Sequence, residues 1–283
     1  MERQVTGSSF QNGQIADAAT HIDRYSRVSA PAIPDPTRPD PRGPLMYIRL
    51  LDAQFDDPAY DAYLEAQQRA YSAPGYETLT KYGSTDRRTT RDPLSYLAVY
   101  DETAGDDGGR LVGGIRIHRK IAGQLPSEIH LASQDFNAAL ADEVAAGESV
   151  AEICGIWVDH GWRGRNLASL LCFTSVVAAQ RLGATVICGS GPTERIKGYE
   201  RCGLRFRHDR PLHDRPFPGI TAYYSINRAE AIRHREERLT KAAVLLDRAL
   251  DEAPCIPTDV VRAVADELGL GRSTASASVG NAR

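Results

Sequence analysis

Residues Val158-Asp159-His160-Gly161-Trp162-Arg163-Gly164-Arg165-Asn166-Leu167-Ala168 follow an apolar run, Ile153 to Val158, and lead straight into a long apolar-periodic segment, Leu167 to Leu182. That order predicts a strand, a polar loop and a helix in direct succession. Backbone N–H groups at a helix start lack intrahelical acceptors, and the helix dipole adds partial positive charge there. Such a loop is a seat for phosphate or pyrophosphate. Arg163 and Arg165 strengthen that use, because guanidinium is the preferred fork for phosphate. An ordinary strand-to-helix turn with solvated arginines would use the same residues, so the loop alone leaves both uses open.

Glu152 opens the same strand among Val150, Ile153 and Ile156, and desolvation there would raise its pKa toward the range useful to a general base. Strand alternation puts Glu152, Cys154 and Ile156 on one face, and Ile153, Gly155 and Trp157 on the other. His118, in an expected strand, and His160, in the loop, are alternative bases, though structural or exposed roles are commoner for both. Five cysteines (154, 172, 188, 202, 255) lack C-x-x-C spacing and read as free thiols, which argues against a metal or disulfide framework.

The ordered set of motifs resembles the acyl-CoA-binding core of the GNAT (Gcn5-related N-acetyltransferase) superfamily. Its Q/R-x-x-G-x-G/A signature is matched by Arg163-Gly164-Arg165-Asn166-Leu167-Ala168, with Asn166 where the family usually has glycine. Asparagine tolerates left-handed backbone angles, so the loop geometry should survive the exchange. Downstream, Tyr199-Glu200-Arg201-Cys202-Gly203-Leu204-Arg205-Phe206 resembles the family's Y-x-x-x-G-F element, with Leu204 in the Phe slot. The resemblance implies acetyl-CoA or another acyl-CoA as cosubstrate, held by Val158, Arg163, Gly164, Arg165, Asn166, Leu167 and Ala168. It further implies Glu152 as base or water relay, Tyr199 as the acid for the departing thiolate, and the Val158 N–H as the group that polarises the thioester. The activity so implied is transfer of an acyl group, acetyl first, to a primary amine by direct attack in a ternary complex. The acceptor would be a small molecule or a peptide. Tyr60, Tyr63, Tyr71, Tyr76 and Tyr82 fall where this fold builds its acceptor pocket, although helical spacing also suits core packing.

Two other readings remain beside it. The run from Tyr96 to Ile117, with Leu125 to Glu128, is similar to autoinducer and N-acyl amino acid synthases that draw long acyl chains from acyl carrier protein; their E-x-x-R is here Glu152-Ile153-Cys154-Gly155, which lacks the arginine. A non-catalytic acyl-CoA-binding module of the same fold is the second, prompted by Asn166 and the long flanking arms.

The elements that must position these residues follow from the rest of the chain. The fold expected is mixed α/β, with a mostly antiparallel sheet splayed between its fourth and fifth strands and helices on both faces. Residues 1–44, rich in proline toward their end, should be a disordered tail, residues 45–228 the acyltransferase domain, residues 229–270 a helical extension and residues 271–283 a frayed end. Within the domain, strands are expected at 45–50, 94–100, 110–119, Val150 to Val158, Ala184 to Cys188, Arg205 to His208 and Ile220 to Asn227. Helices are expected at 59–71, 138–146, 167–182 and 194–201, with breaks at Gly75 and Gly83. In the extension, Ala229 to Glu252 reads as one charged helix, and Thr258 as the N-cap of another ending at Gly269. These helices would pack on the core or form a homodimer.

Of the 283 residues, 42% are hydrophobic and 25% charged, as in ordinary globular chains, and the net charge is −3. That balance argues against a general nucleic-acid or membrane-surface binder. The stretch Ala265 to Ser276 resembles the turn of a helix-turn-helix, but the residues after it are small and hold few base-reading side chains. The start of the chain lacks a basic region followed by an apolar core, so a cytoplasmic enzyme is expected.

Overall fold

The computed structural model describes residues 45–53, 58–72, 93–103, 109–213 and 221–270. The proline-rich segment 1–44, Gly75, Tyr76, Tyr82, Gly83, the middle of the turn after residue 103 and residues 271–283 lie outside the described residues. In chain order the elements are β1 (Met46–Asp52), α1 (Pro58–Tyr71), β2 (Leu94–Asp101), β3 (Arg110–Arg119), α2 (Pro126–Leu131), α3 (Gln134–Ala145), β4 (Val150–Val158) and a 3-10 turn, His160–Trp162. They continue with α4 (Leu167–Arg181), β5 (Val186–Pro192), α5 (Thr193–Glu200), β6 (Leu212–His213), β7 (Thr221–Arg228), α6 (Ala229–Arg233), α7 (Glu237–Glu252), β8 (Cys255–Ile256) and α8 (Thr258–Glu267).

These strands form one 8-stranded sheet in the order β6-β7-β5-β4-β3-β2-β1-β8. Every neighbouring pair is antiparallel except β4 and β5. The parallel pairing joins only Val150, Ala151 and Glu152 to Val186, Ile187 and Cys188. Past Glu152 the two strands part: β4 stays with β3 as far as Val158, and β5 stays with β7 as far as Pro192. The expected splay is this gap, and helices cover both faces of the sheet around it.

A β-bulge marks the parting. The β3–β4 register passes from Gly114↔Trp157 to Arg116↔Cys154, so β4 carries one extra residue, and Gly155 there takes φ +63. Bulges of this kind bend the strand and increase its twist. The extra residue also resets side-chain alternation, which corrects the simple two-face assignment. Glu152 and Cys154 share a face, but so does Trp157, which packs with the α1 tyrosines Tyr60 and Tyr63. Ile156 joins Ile153 on the opposite face, against the α4 side of the core.

The layers follow from apolar spacing. Helix α4 is buried almost all round, because Leu170, Leu171, Phe173, Val176 and Val177 meet the sheet while its outer side meets α6 and α7. On the other face, α1 packs Tyr60, Tyr63 and Tyr71 over β2 and β3. Beside it α2 and α3 place Leu131, Phe136 and Leu140 on Val150, Val186 and Tyr224.

Four expectations about elements change. Residues 205–208 form no strand: Arg205 is tied to β7 through the Asn227 side chain (3.0 and 3.3 Å) and Arg207 N–H through one bond to Tyr224 O, after which the chain turns. Helix α3 starts at Gln134 rather than 138, capped by the Ser133 hydroxyl accepting from Phe136 N–H at 3.3 Å. The single helix 229–252 is two, because the chain is extended at Glu236 (φ −142) before α7 lays Leu239, Ala242, Ala243, Leu246 and Leu250 against the core. Thr258 is not a cap. Pro257 holds that position, and the Thr258 hydroxyl donates to Met46 O at 2.8 Å, pinning α8 to β1. No helix among the described residues is long and apolar enough to cross a membrane.

Candidate active site

Between the splayed ends of β4 and β5 lies a cleft of about 420 Å³. Its walls bring together Glu152, Val158, Arg163, Gly164, Asn166, Leu167, Ala168 and Tyr199 from the expected set. Arg165 is not in the wall; its guanidinium stands 5.0 Å over the Trp162 ring on the exposed side of the loop.

At the inner end Glu152 is 1% exposed. One carboxylate oxygen accepts the Ser127 N–H at 2.9 Å and the other the Ser127 hydroxyl at 2.8 Å. Burial pushes this carboxyl up to about 7, against the Ser127 bonds and the Arg116 guanidinium, which pull it down. The strand alone therefore would leave it higher still; the first turn of α2 holds it near neutrality.

The β4 backbone beyond Glu152 has no β5 partner. Asp159 N–H bonds back to Val112 O on β3 at 2.8 Å. Backbone groups alternate sides along a strand, so the N–H and C=O of Val158 turn away from β3 and toward the cleft. Val158 O and Ile156 O on that side receive Arg163 Nε (3.5 Å) and the Tyr71 hydroxyl (2.8 Å). Arg163 also donates to Ala70 O at 2.9 Å, so its guanidinium clamps the end of α1 to the end of β4. The arginine foreseen as a phosphate fork is thereby engaged with carbonyls.

Asn166 adopts φ +57 and ψ +12, the left-handed geometry expected of the glycine it replaces. Its side chain turns to the C-terminal extension and donates to Leu270 O at 3.3 Å. The first N–H groups of α4, those of Leu167, Ala168 and Ser169, have no acceptor within the helix. Ala168 and Ser169 border the cleft, and backbone donors at a helix start of this kind can bind an anion.

Tyr199, on α5, faces the cleft from the β5 side. Its ring lies against Gly191, where an added Cβ would come within 3.0 Å, and stacks with Phe206 at 6.2 Å. Burial raises its phenol well above the usual value, so at neutral pH it is a proton donor and not a phenolate. Gly203, three residues past α5, takes φ +88 and turns the chain back.

His118 pairs across the sheet with Glu152 but lies outside the cleft wall. Burial, then the Arg116 charge, drives its imidazole well below the usual range, and neither ring nitrogen has a hydrogen-bond partner among the described residues. His160 is exposed on the 3-10 turn. Of the tyrosines, Tyr71 reaches the cleft while Tyr60 and Tyr63 are core. All five cysteines are free thiols. Sequence reasoning missed Ser127, His130 and Arg116. Arg116 did carry a signal, as the one charge inside the apolar run Gly113-Gly114-Ile115-Arg116-Ile117.

Comparison with known proteins gives three findings. The sequence pattern of the acetyltransferase (GNAT) family matches residues 57–204. No curated protein sequence matches the chain. Among solved structures, the chain is similar to FeeM, an N-acyl amino acid synthase from uncultured soil microbes, at 18% identity and TM-score 0.48, covering 69% of this chain and 98% of that one. It is similar to NAA60 of Arabidopsis thaliana in complex with acetyl-CoA (16%, TM-score 0.44, covering 64% and 98%). A third similarity is to the polyamine N-acetyltransferase of Drosophila melanogaster (15%, TM-score 0.41, covering 63% and 99%). Each is a likeness at low identity, and the chemistry of the cleft rests on this chain's own residues.

Proposed function

The chain belongs to the acetyltransferase (GNAT) family, whose members take their acyl group from acyl-CoA, and from that premise we propose that it transfers an acyl group to a primary amine by direct attack in a ternary complex. The observation that carries the reading is the pairing, in one cleft, of a carboxyl pushed up to about 7 with a phenol that stays protonated. Enzymes that move protons both ways at neutral pH need two groups so separated.

In this reading Glu152 takes the proton from the acceptor ammonium, directly or through water. The amine nitrogen then attacks the thioester carbon while Val158 N–H stabilises the oxygen as it gains charge. Collapse re-forms the carbonyl and breaks the C–S bond, Tyr199 supplies a proton to the departing thiolate, and the second proton of the amine nitrogen leaves through water and restores the phenol. The pyrophosphate of acyl-CoA rests on the N–H groups that open α4, with Gly164, Asn166, Leu167 and Ala168 as its seat and Arg163 holding the loop's shape. Arg165, over Trp162, belongs to the rim.

The test is release of free thiol from acetyl-CoA in the presence of a panel of amines. The wild type should turn over, and Tyr199→Phe should lower kcat with the affinity for CoA nearly unchanged. Equal kcat in Tyr199→Phe would remove the phenol from the mechanism.

A further inference from the structure

The bulge leaves Gly155 and Ile156 without a ladder partner in β3, and β5 has already parted from β4 at this point. A buried carbonyl without a donor costs about as much as a lost hydrogen bond. Helix α1 supplies the two donors. Gln67 Nε2 donates to Gly155 O at 2.5 Å, and the Tyr71 hydroxyl donates to Ile156 O at 2.8 Å. These side chains are four residues apart, one above the other on the buried face of α1 that also carries Tyr60 and Tyr63.

Gln67 is an unusual choice for that face. It is 1% exposed, and its Oε1 has no hydrogen-bond partner among the described residues. A carboxamide buried with one end unpaired is costly, and an apolar side chain of the same length would pack there without that cost. What the amide alone supplies is the bond to Gly155 O. A peptide unit is planar, so fixing its oxygen fixes the N–H at its other end. The bonds to Gly155 O and Ile156 O therefore set the two peptide planes that lead from the bulge to Trp157. Beyond Val158 the next plane is held by Asp159 N–H on Val112 O at 2.8 Å. The plane that carries Val158 N–H is thus framed from both sides.

Resting on the acyl-transfer reading above, we propose that Gln67 is a positioning residue for that reaction, with Tyr71 as its second point of attachment. From α1 the two hold the bulge of β4 so that Val158 N–H meets the thioester oxygen at the angle needed as charge develops. Gln67 lies outside the cleft wall and acts only through the strand. Donors held in advance where charge develops carry much of the rate of acyl transfer, and a misplacement of about 1 Å costs on the order of 100-fold.

Variants of the full chain test this by thiol release from acetyl-CoA and by amide hydrogen exchange. Gln67→Met keeps the length of the side chain and removes the amide. Its kcat should fall about 10- to 100-fold, while CoA affinity read by thermal shift stays within a few-fold of wild type. Tyr71→Phe, which loses only a hydroxyl, should lower kcat in the same way and by less. In Gln67→Met the amides of residues 156–158 should exchange about tenfold faster, as one hydrogen bond's worth of local protection is lost, with those of residues 150–153 unchanged. Unchanged kcat in both variants, a loss that appears only as weaker CoA binding, or unaltered exchange at 156–158 would overturn the proposal. Should Gln67→Met fail to fold, Tyr71→Phe carries the same readouts. Absence of thiol release by the wild type with every amine would strike the acyl-transfer reading and the role resting on it, while the exchange rates still decide whether Gln67 holds the bulge.

Discussion

At neutral pH the Glu152 carboxyl is near the middle of its titration, because burial lifts it to about 7 and the two bonds from Ser127 stop it going higher. The kcat/KM of acyl transfer should rise with pH through about 7 as the base ionises. Glu152→Gln should lose that limb and about 10²- to 10⁴-fold in rate; a limb that stays in place would assign the base elsewhere. Ser127→Ala removes a donor that favours the ionised form, so the limb should move to higher pH. Stability carries the opposite sign. The folded pKa lies above the unfolded one, so the folded chain holds an extra proton between about 4.5 and 7, and stability falls as pH rises across that window. The full loss is on the order of 3 kcal/mol. Denaturant unfolding at pH 5 and pH 8 should show the wild type declining relative to Glu152→Gln, whereas parallel curves would contradict the buried, uplifted carboxyl. The need for a base could be inferred from the apolar flanks of Glu152. Ser127 could not, since it stands 25 residues away and meets Glu152 only in the folded chain.

Scale up to the elements, and the bulge in β4 is what turns a sheet into a cleft. Its Gly155 combines a left-handed backbone with close contact to Arg116. Gly155→Ala should therefore lower stability by about 2 kcal/mol or more through strain and crowding, a fall of several degrees in Tm. An unchanged Tm would mean that the bulge tolerates a side chain. The phosphate loop offers a matching test. Asn166→Gly keeps the left-handed turn and should leave CoA affinity within a few-fold, while Asn166→Val, β-branched where φ is +57, should weaken it about tenfold or more. The bounds of β4 and the start of α4 were legible in the sequence, because an apolar run, a polar loop and an apolar-periodic helix leave little choice. The faces of β4 were not. Alternation holds only while the ladder is regular, and Gly155 in an apolar strand does not announce which partner residue it skips. Residues 205–208 fail for a related reason: their strand-like composition is answered by the Asn227 side chain rather than by a full backbone ladder.

Across the whole molecule, the C-terminal helices and the loop proposed to seat the pyrophosphate are tied together by hydrogen bonds. Leu270 O receives Asn166, and Arg238 donates to Leu268 O at 2.9 Å and to Arg201 O at 2.7 Å, tying the extension to both ends of the cleft's signature motifs. The apolar stripe of α7 is spent on this packing within the chain, against α4 and α8. The linked prediction is that Arg238→Ala destabilises the fold by about 1–2 kcal/mol and also weakens CoA binding, though Arg238 is not in the cleft wall. Loss of stability with CoA affinity intact would separate the extension from the site. Whether this cleft holds acyl-CoA is decided by titrating acetyl-CoA into the purified full chain and following its thermal midpoint. A ligand that binds only the folded state stabilises it by about 2.7 kcal/mol at a hundred times its Kd. A saturable rise in Tm is expected with acetyl-CoA and with free CoA, reduced in Asn166→Val; a midpoint that does not move with any CoA would rule the acyl-CoA site out.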